Sequence, residues 1–238
     1  MPDLLSIGHA ISVWFLPIVL AITLHEAAHA WAADRLGDDT ARRLGRVSLN
    51  PVRHVDPVGT LLLPGLLLLV SPIVFGWAKP VPVDFRRLHQ PKRDMALVAA
   101  AGPACNIVQA VFFAWMLPVA AFVGGDVGLW LGLNFGHAIL VNLVLAIFNM
   151  FPIPPLDGGR IVTGLLPTPL AMRYARLERY GFVILLLLVF VVPLAARELG
   201  FAFSPIATFI FAILEPAVAV VAALSPFDAD FLWRIMLP

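Results

Sequence analysis

Residues 11–34 read ISVWFLPIVLAITLHEAAHAWAAD. The run is long enough for a bilayer-spanning helix, which needs roughly 20 apolar residues. It nevertheless carries two histidines and a glutamate, in the order His25-Glu26-Ala27-Ala28-His29. On a helix of about 3.6 residues per turn, positions i and i+4 stack on one face. His25 and His29 can therefore offer two imidazoles to one metal ion. Glu26 projects beside them, placed to take a proton from a metal-activated water. With this chain's own His and Glu frequencies, the pattern arises by chance at odds on the order of one in a few hundred. In a soluble helix the competing reading is a solvated face. In an apolar helix, ionisable side chains cost several kcal/mol unless partnered, which marks them as functional.

The rest of the chain has the composition of a protein dissolved in lipid. Of its 238 residues, 61% are hydrophobic and 13% charged, and the mean hydropathy is +0.92. Soluble domains lie closer to half apolar and a quarter charged. The net charge of +1 gives no case for nucleic acid as a partner. With one cysteine, Cys105, there is no internal disulfide and no cysteine metal cluster. The start, Met1-Pro2-Asp3, lacks the basic region of a cleavable signal peptide, so the first helix is expected to be retained.

Five runs qualify as spanning helices, at about 11–34, 95–123, 129–151, 179–196 and 203–224. A sixth, at about 57–77, is broken by Pro64-Gly65 and Ser71-Pro72. Its continuation to Val83 is β-branched and punctuated by proline, which reads as extended chain. The expected fold is an all-α polytopic membrane protein of five to six transmembrane helices with a short membrane-re-entrant β element at about 57–83.

Charge sets the topology, because Lys and Arg concentrate in cytoplasmic loops. One basic loop holds Arg35, Arg42, Arg43, Arg46 and Arg53, a second Lys79, Arg86, Arg87, Lys92 and Arg93, and a third Arg160, Arg173, Arg176 and Arg179. All three face the cytoplasm only if 57–77 dips into the membrane and returns, which leaves Arg197 alone outside. Non-helical backbone at that depth must be buried in protein or line a watery cavity. Water is what hydrolysis would need there.

Catalytic zinc takes three protein ligands and keeps one position open. The stretch Asn149-Met150-Phe151-Pro152-Ile153-Pro154-Pro155-Leu156-Asp157-Gly158-Gly159 ends a helix, runs extended through its prolines and presents one carboxylate. Asp157 reads equally as a turn residue, since Asp-Gly is common in turns. Favouring a ligand, the 11–34 and 129–151 helices run in the same direction, which puts His29 and Asp157 toward the same membrane face.

These residues resemble the site-2 protease family (peptidase family M50) of intramembrane metalloproteases. The resemblance rests on His25-Glu26-xx-His29, on Ala101-Gly102-Pro103-xx-Asn106, and on Asn149 through Asp157-Gly158. It extends to Leu49-Asn50-Pro51-xx-His54-x-Asp56-Pro57-x-Gly59 and to Phe75-Gly76-Trp77-Ala78-Lys79-Pro80-Val81-Pro82, as in compact members without a PDZ domain. It implies that His25, His29 and Asp157 bind Zn2+ and that Glu26 is the general base. Asn149 is implied to hold the substrate backbone or the oxyanion, and Asn106 and Gly102 are carried with it as candidate substrate-binding positions, although helix packing is the competing role for both. The implied substrate is a transmembrane or signal-peptide-like segment, cleaved near the cytoplasmic face of the cell membrane. The unwound peptide would add to the edge of the 73–83 segment.

The chain is read as one intramembrane metalloprotease domain, with a catalytic core at about 8–165 and flanking helices at about 168–238 that are candidates for a lateral gate. Lipid and a membrane-protein substrate are the expected partners, and a homo-oligomer is compatible with the sequence. The alternative function is a metal-binding membrane protein without proteolytic activity, which would have no need of Glu26. His54 and Asp56 read as a turn or cap and His137 as a satisfied core histidine. Glu215 reads as a local structural partner or a polar gate residue.

Overall fold

The computed structural model describes residues 4–62 and 78–238, with side chains from Gly8 onward except those of Thr60 and Leu61. Three long helices make the frame: α1 (Leu4–Arg35), α2 (Pro91–Val123) and α3 (Gly125–Asn149). Each packs on the other two. Their contact faces carry small residues, and Ala21, Ala30, Ala33, Ala110 and Ala114 are fully buried. Lipid is as apolar as the helices, so close backbone approach rather than the hydrophobic effect must hold such an interface together.

Two short helices follow the frame, α4 (Asp157–Leu165) and α5 (Thr168–Ala175), then α6 (Glu178–Glu198), α7 (Pro205–Ala223) and α8 (Ala229–Met236). Helices α1, α2, α3, α6 and α7 are long and apolar enough to cross a membrane. The largest core cluster joins Leu117 of α2, Ile139 and Leu143 of α3, Val218 and Val221 of α7, and Leu232 and Met236 of α8.

One hydrogen bond decides the layout of the basic loops. The His89 N–H, just before α2, donates to the Leu36 carbonyl, just after α1, at 2.9 Å. The chain between them therefore starts and ends at one end of the bundle and makes no net crossing. Asp38 anchors the same region. Its buried carboxylate accepts from the Thr40 N–H at 3.0 Å and the Asp84 N–H at 2.7 Å, with Arg87 Nε at 3.8 Å. Burial pushes the Asp38 carboxyl up, but the Thr40 and Asp84 donors and the Arg87 charge more than offset this and hold it below the usual range.

Among the described residues there is no strand. Pro57–Leu62 is a π-helical turn, and 78–83 has no regular secondary structure. Proline at 80 and 82 removes two of the donors a ladder would need. The remainder of the expected β element, 63–77, lies outside the described residues.

The last two long helices match the apolar runs at 179–196 and 203–224. α7 begins at the end of the bundle where α3 finishes: Phe209 packs on Phe151 at 4.9 Å, and Ile206 is buried with Leu156 and Leu185. It finishes toward the opposite end, where the Leu224 carbonyl accepts from Trp115 Nε1 at 2.8 Å. Only residues 199–204 connect α6 to α7, and α6 itself starts beside Pro154, with Gly181 tight against that carbonyl. Both helices therefore start near the end of the bundle where α3 finishes.

Candidate metal centre

His25 and His29 project from the half of α1 nearer the basic loops, toward α2. His29 Nδ1 lies 2.8 Å from the Val98 carbonyl. A carbonyl can only accept, so Nδ1 carries the proton, and a neutral His29 presents a bare Nε2. His25 Nδ1 lies 2.6 Å from Asn106 Oδ1. The Asn106 amide nitrogen donates to Asn142 Oδ1 at 2.7 Å and to the Ala21 carbonyl at 3.2 Å, which fixes its oxygen toward the imidazole. His25 Nε2 is thereby left bare as well.

The two Nε2 atoms are 3.0 Å apart, and Asp157 Oδ2 is 3.3 Å from each. Asp157 Oδ2 is buried without a hydrogen-bond donor. Three lone-pair atoms thus converge in a space that hardly admits solvent, with His25, His29 and Asp157 5%, 9% and 5% exposed. Such a trio repels itself unless a cation sits among it. Tetrahedral zinc with ligands at about 2.0–2.1 Å sets its ligand atoms about 3.3–3.4 Å apart, so the three donors fit zinc closely. Among the described residues this is the one cluster able to hold a metal ion.

Three glycines make the convergence feasible. A Cβ on Gly102 would lie 2.4 Å from His29 Nε2 and 2.6 Å from His25 Cε1, so no other residue leaves room for the imidazoles against α2. Asp157 opens α4 as the chain doubles back on itself. A Cβ on Gly158 would meet the Met150 carbonyl at 2.2 Å, and one on Gly159 would meet Pro154 N at 2.2 Å. The Asp-Gly-Gly sequence is therefore a close-packed helix start rather than a loose turn, and it aims the carboxylate at the histidines.

Glu26 is half-buried beside the trio, and its Oε2 accepts from the Val81 N–H at 2.9 Å. A cavity of about 530 Å³ opens over these groups. Its walls include Ala78, Pro80 and Val81 of the 78–83 segment, Phe148 and Asn149 of α3, Arg160 of α4, and Phe182 and Leu185 of α6.

Of the expected substrate-binding residues, Asn149 lines the cavity. Asn106 and Gly102 do not. Asn106 is fully buried behind His25, and Gly102 lies under both rings. They back the two histidines instead, and an asparagine that bonds an imidazole's second nitrogen fixes its tautomer and orientation. His54 is buried away from the trio, with Nε2 2.9 Å from the Ser48 carbonyl. Asp56 Oδ1 accepts from the Val58 and Gly59 N–H groups as a cap. His137 bonds the Val13 carbonyl at 3.1 Å and stacks on Trp14 at 3.9 Å, as a core histidine. Glu215 is exposed on α7, away from the cavity lining. Sequence reasoning missed the Val98 carbonyl, the Val81 N–H and Arg46. The first two are main-chain groups and carry no residue signature.

Residues 127–192 match the family model described as Peptidase family M50. YwhC of Bacillus subtilis, provisionally named a zinc metalloprotease, is 40% identical over 186 residues, covering 76% of this chain and 81% of YwhC. Rip2 of Mycolicibacterium smegmatis, named in the same provisional way, is 31% identical over 172 residues, covering 71% of this chain and 63% of Rip2. MJ0611 of Methanocaldococcus jannaschii, also so named, is 38% identical over 102 residues, 41% of this chain and 50% of its own. No solved structure matches. The match to YwhC runs through most of both chains, and the chain therefore belongs to peptidase family M50, the site-2 protease family of zinc metalloproteases.

Proposed function

We propose that this metalloendopeptidase cleaves transmembrane or signal-peptide-like segments within the membrane, close to the cytoplasmic face, as a single catalytic domain. The observation that carries the reading is the convergence of three lone-pair atoms, 3.0–3.3 Å apart, under a cavity that Glu26 also lines. His25, His29 and Asp157 would hold zinc. When bound, zinc supplies Lewis acidity, which acidifies water and polarises the scissile carbonyl.

The chain's own groups do the rest. Glu26 takes a proton from the attacking water and delivers it to the departing amine nitrogen. Its Oε2 is turned toward Val81, which orients the carboxylate across the cavity. Asn149 stands on the cavity wall with its Nδ2 donating to the Leu145 carbonyl at 3.0 Å, so its oxygen is left to accept from a substrate N–H. The apolar walls from α3 and α6 favour an apolar peptide that has left its own helix. The orientation rests on charge: the basic loops after α1 and before α2 adjoin the end of the bundle that holds the trio, which supports a cytoplasmic site in the cell membrane.

The test uses protein purified in detergent. One zinc per chain and cleavage of a fluorogenic transmembrane peptide, abolished by a chelator and restored by zinc, is the expected result. Zinc without cleavage of any transmembrane probe would move the reading to a metal-binding protein with no proteolytic activity.

A further inference from the structure

Arg46 is buried at 6% exposure, and no carboxylate pairs with it among the described residues. Its Nη2 donates to the Lys79 carbonyl at 2.5 Å and reaches the Pro80 carbonyl at 3.4 Å, while its Nε has no partner. A buried cation held only by carbonyl dipoles is costly, so its position calls for an explanation. The carbonyls it grips belong to the segment that reaches the catalytic carboxylate. The Lys79 N–H donates to the His54 carbonyl at 2.9 Å, and the buried Val81 side chain packs with Ala30 and Ala41. Two residues beyond Lys79, the Val81 N–H meets Glu26 Oε2 at 2.9 Å. Pro80 and Pro82 flank Val81, so across 80–82 this is the sole backbone donor.

We infer that Arg46 is a positioning residue for proteolysis: by clamping the 79–80 carbonyls it holds the Val81 N–H against Glu26 and so fixes the orientation of the general base. The inference rests on the proteolytic reading above. Loss of the clamp lets the segment drift, the Glu26 carboxylate loses its orienting donor, and turnover falls while zinc and substrate binding stay.

The experiment compares wild type, Arg46→Gln, Arg46→Lys, Val81→Pro and the Arg46→Gln/Val81→Pro pair, purified in detergent. The probe is a quenched fluorogenic peptide with one apolar helical segment. Expected for Arg46→Gln are one zinc per chain, KM within about twofold, and kcat lower by about 10- to 100-fold, the scale of a misplaced catalytic group. Lysine can still donate to a carbonyl, so Arg46→Lys recovers most of the loss. Val81→Pro deletes the donor itself, so the double variant is no slower than the slower single. In a Glu26→Gln background, Arg46→Gln leaves peptide affinity unchanged. Hydrogen exchange of fragments covering 78–83 needs no activity, and there Arg46→Gln speeds exchange of the Val81 amide. An unchanged kcat, additive losses, weaker peptide binding in the Glu26→Gln background, or unchanged exchange overturns the inference. A wild type that cleaves nothing while exchange still responds to Arg46 sinks the proteolytic reading instead and leaves the clamp standing.

Discussion

Replacing Asn106 by alanine removes a side chain with no solvent exposure and three partners: His25 Nδ1 at 2.6 Å, Asn142 Oδ1 at 2.7 Å and the Ala21 carbonyl at 3.2 Å. The Ala21 carbonyl keeps its own helix. The His25 N–H and the Asn142 oxygen are left buried without partners, at about 1–3 kcal/mol each. The freed imidazole can also rotate or switch tautomer, and loss of such a support typically weakens metal binding by about 10- to 100-fold. Competition against a chromophoric zinc chelator, on purified Asn106→Ala, reads that loss directly. Asn106→Asp separates the two effects. Its carboxylate still accepts from His25, so zinc stays bound more tightly than in the alanine variant. It offers no donor to Asn142, which leaves two acceptors in contact, so thermal stability falls. Zinc affinity of Asn106→Ala within about twofold of wild type would refute the support role, because a His25 that needs no fixing partner contradicts the geometry.

Glu26→Gln is expected to retain one zinc per chain and lose cleavage, as measured by metal analysis beside a peptide assay; a wild-type rate would remove Glu26 as the base. Gly102→Ala should gain up to about 1 kcal/mol of helix propensity but place a Cβ 2.4 Å from His29 Nε2. The contact dominates, so the variant inserts normally and binds zinc poorly; wild-type zinc affinity in an equilibrium titration would contradict it. Asp38 has a lowered folded pKa, so its contribution to stability is complete above its unfolded value of about 4 and fades as pH falls from there through the folded value. Melting temperatures of wild type should therefore drop faster than those of Asp38→Asn below about pH 4; parallel curves would show that Asp38 carries no such linkage.

Much of the frame was legible because a spanning helix must be apolar along its length. The boundaries were not. The apolar run suggested a start near 95 for the second helix, yet α2 begins at Pro91. Its first turn is built of Lys92, Arg93 and Asp94, with Asp94 Oδ2 accepting from the Gln90 N–H at 2.7 Å. Hydropathy does not register a polar turn of this kind. Helices α4, α5 and α8 went unseen for the same reason, being short and half polar. The pair of basic loops around 36–90 was readable from charge, and the Leu36–His89 bond agrees with it.

The histidine pair was plain from its i, i+4 spacing, whereas Asp157 is remote in sequence and reads equally as a turn residue without the family resemblance. What spacing could not show is why it points inward: Gly158 and Gly159 allow the chain to close on 150–154. Asn106 and Gly102 were noticed, but their places were not, since a polar residue on an apolar helix reads alike whether it faces substrate or a ligand's far nitrogen. The two apolar runs that became α6 and α7 were readable, but hydropathy reports length and not direction. It took Ile206 against Leu156 to show where α7 begins.

The central claim is that His25, His29 and Asp157 form the ligand set of a catalytic zinc. X-ray absorption at the zinc edge, on wild type and Asp157→Ala purified in detergent, tests it most directly. The account predicts one zinc per chain in wild type, with two imidazoles and oxygen donors at about 2.0–2.2 Å and no sulfur, and one protein oxygen lost along with most of the affinity in the variant. A sulfur scatterer, a single imidazole, or an unchanged shell and affinity in Asp157→Ala would contradict it.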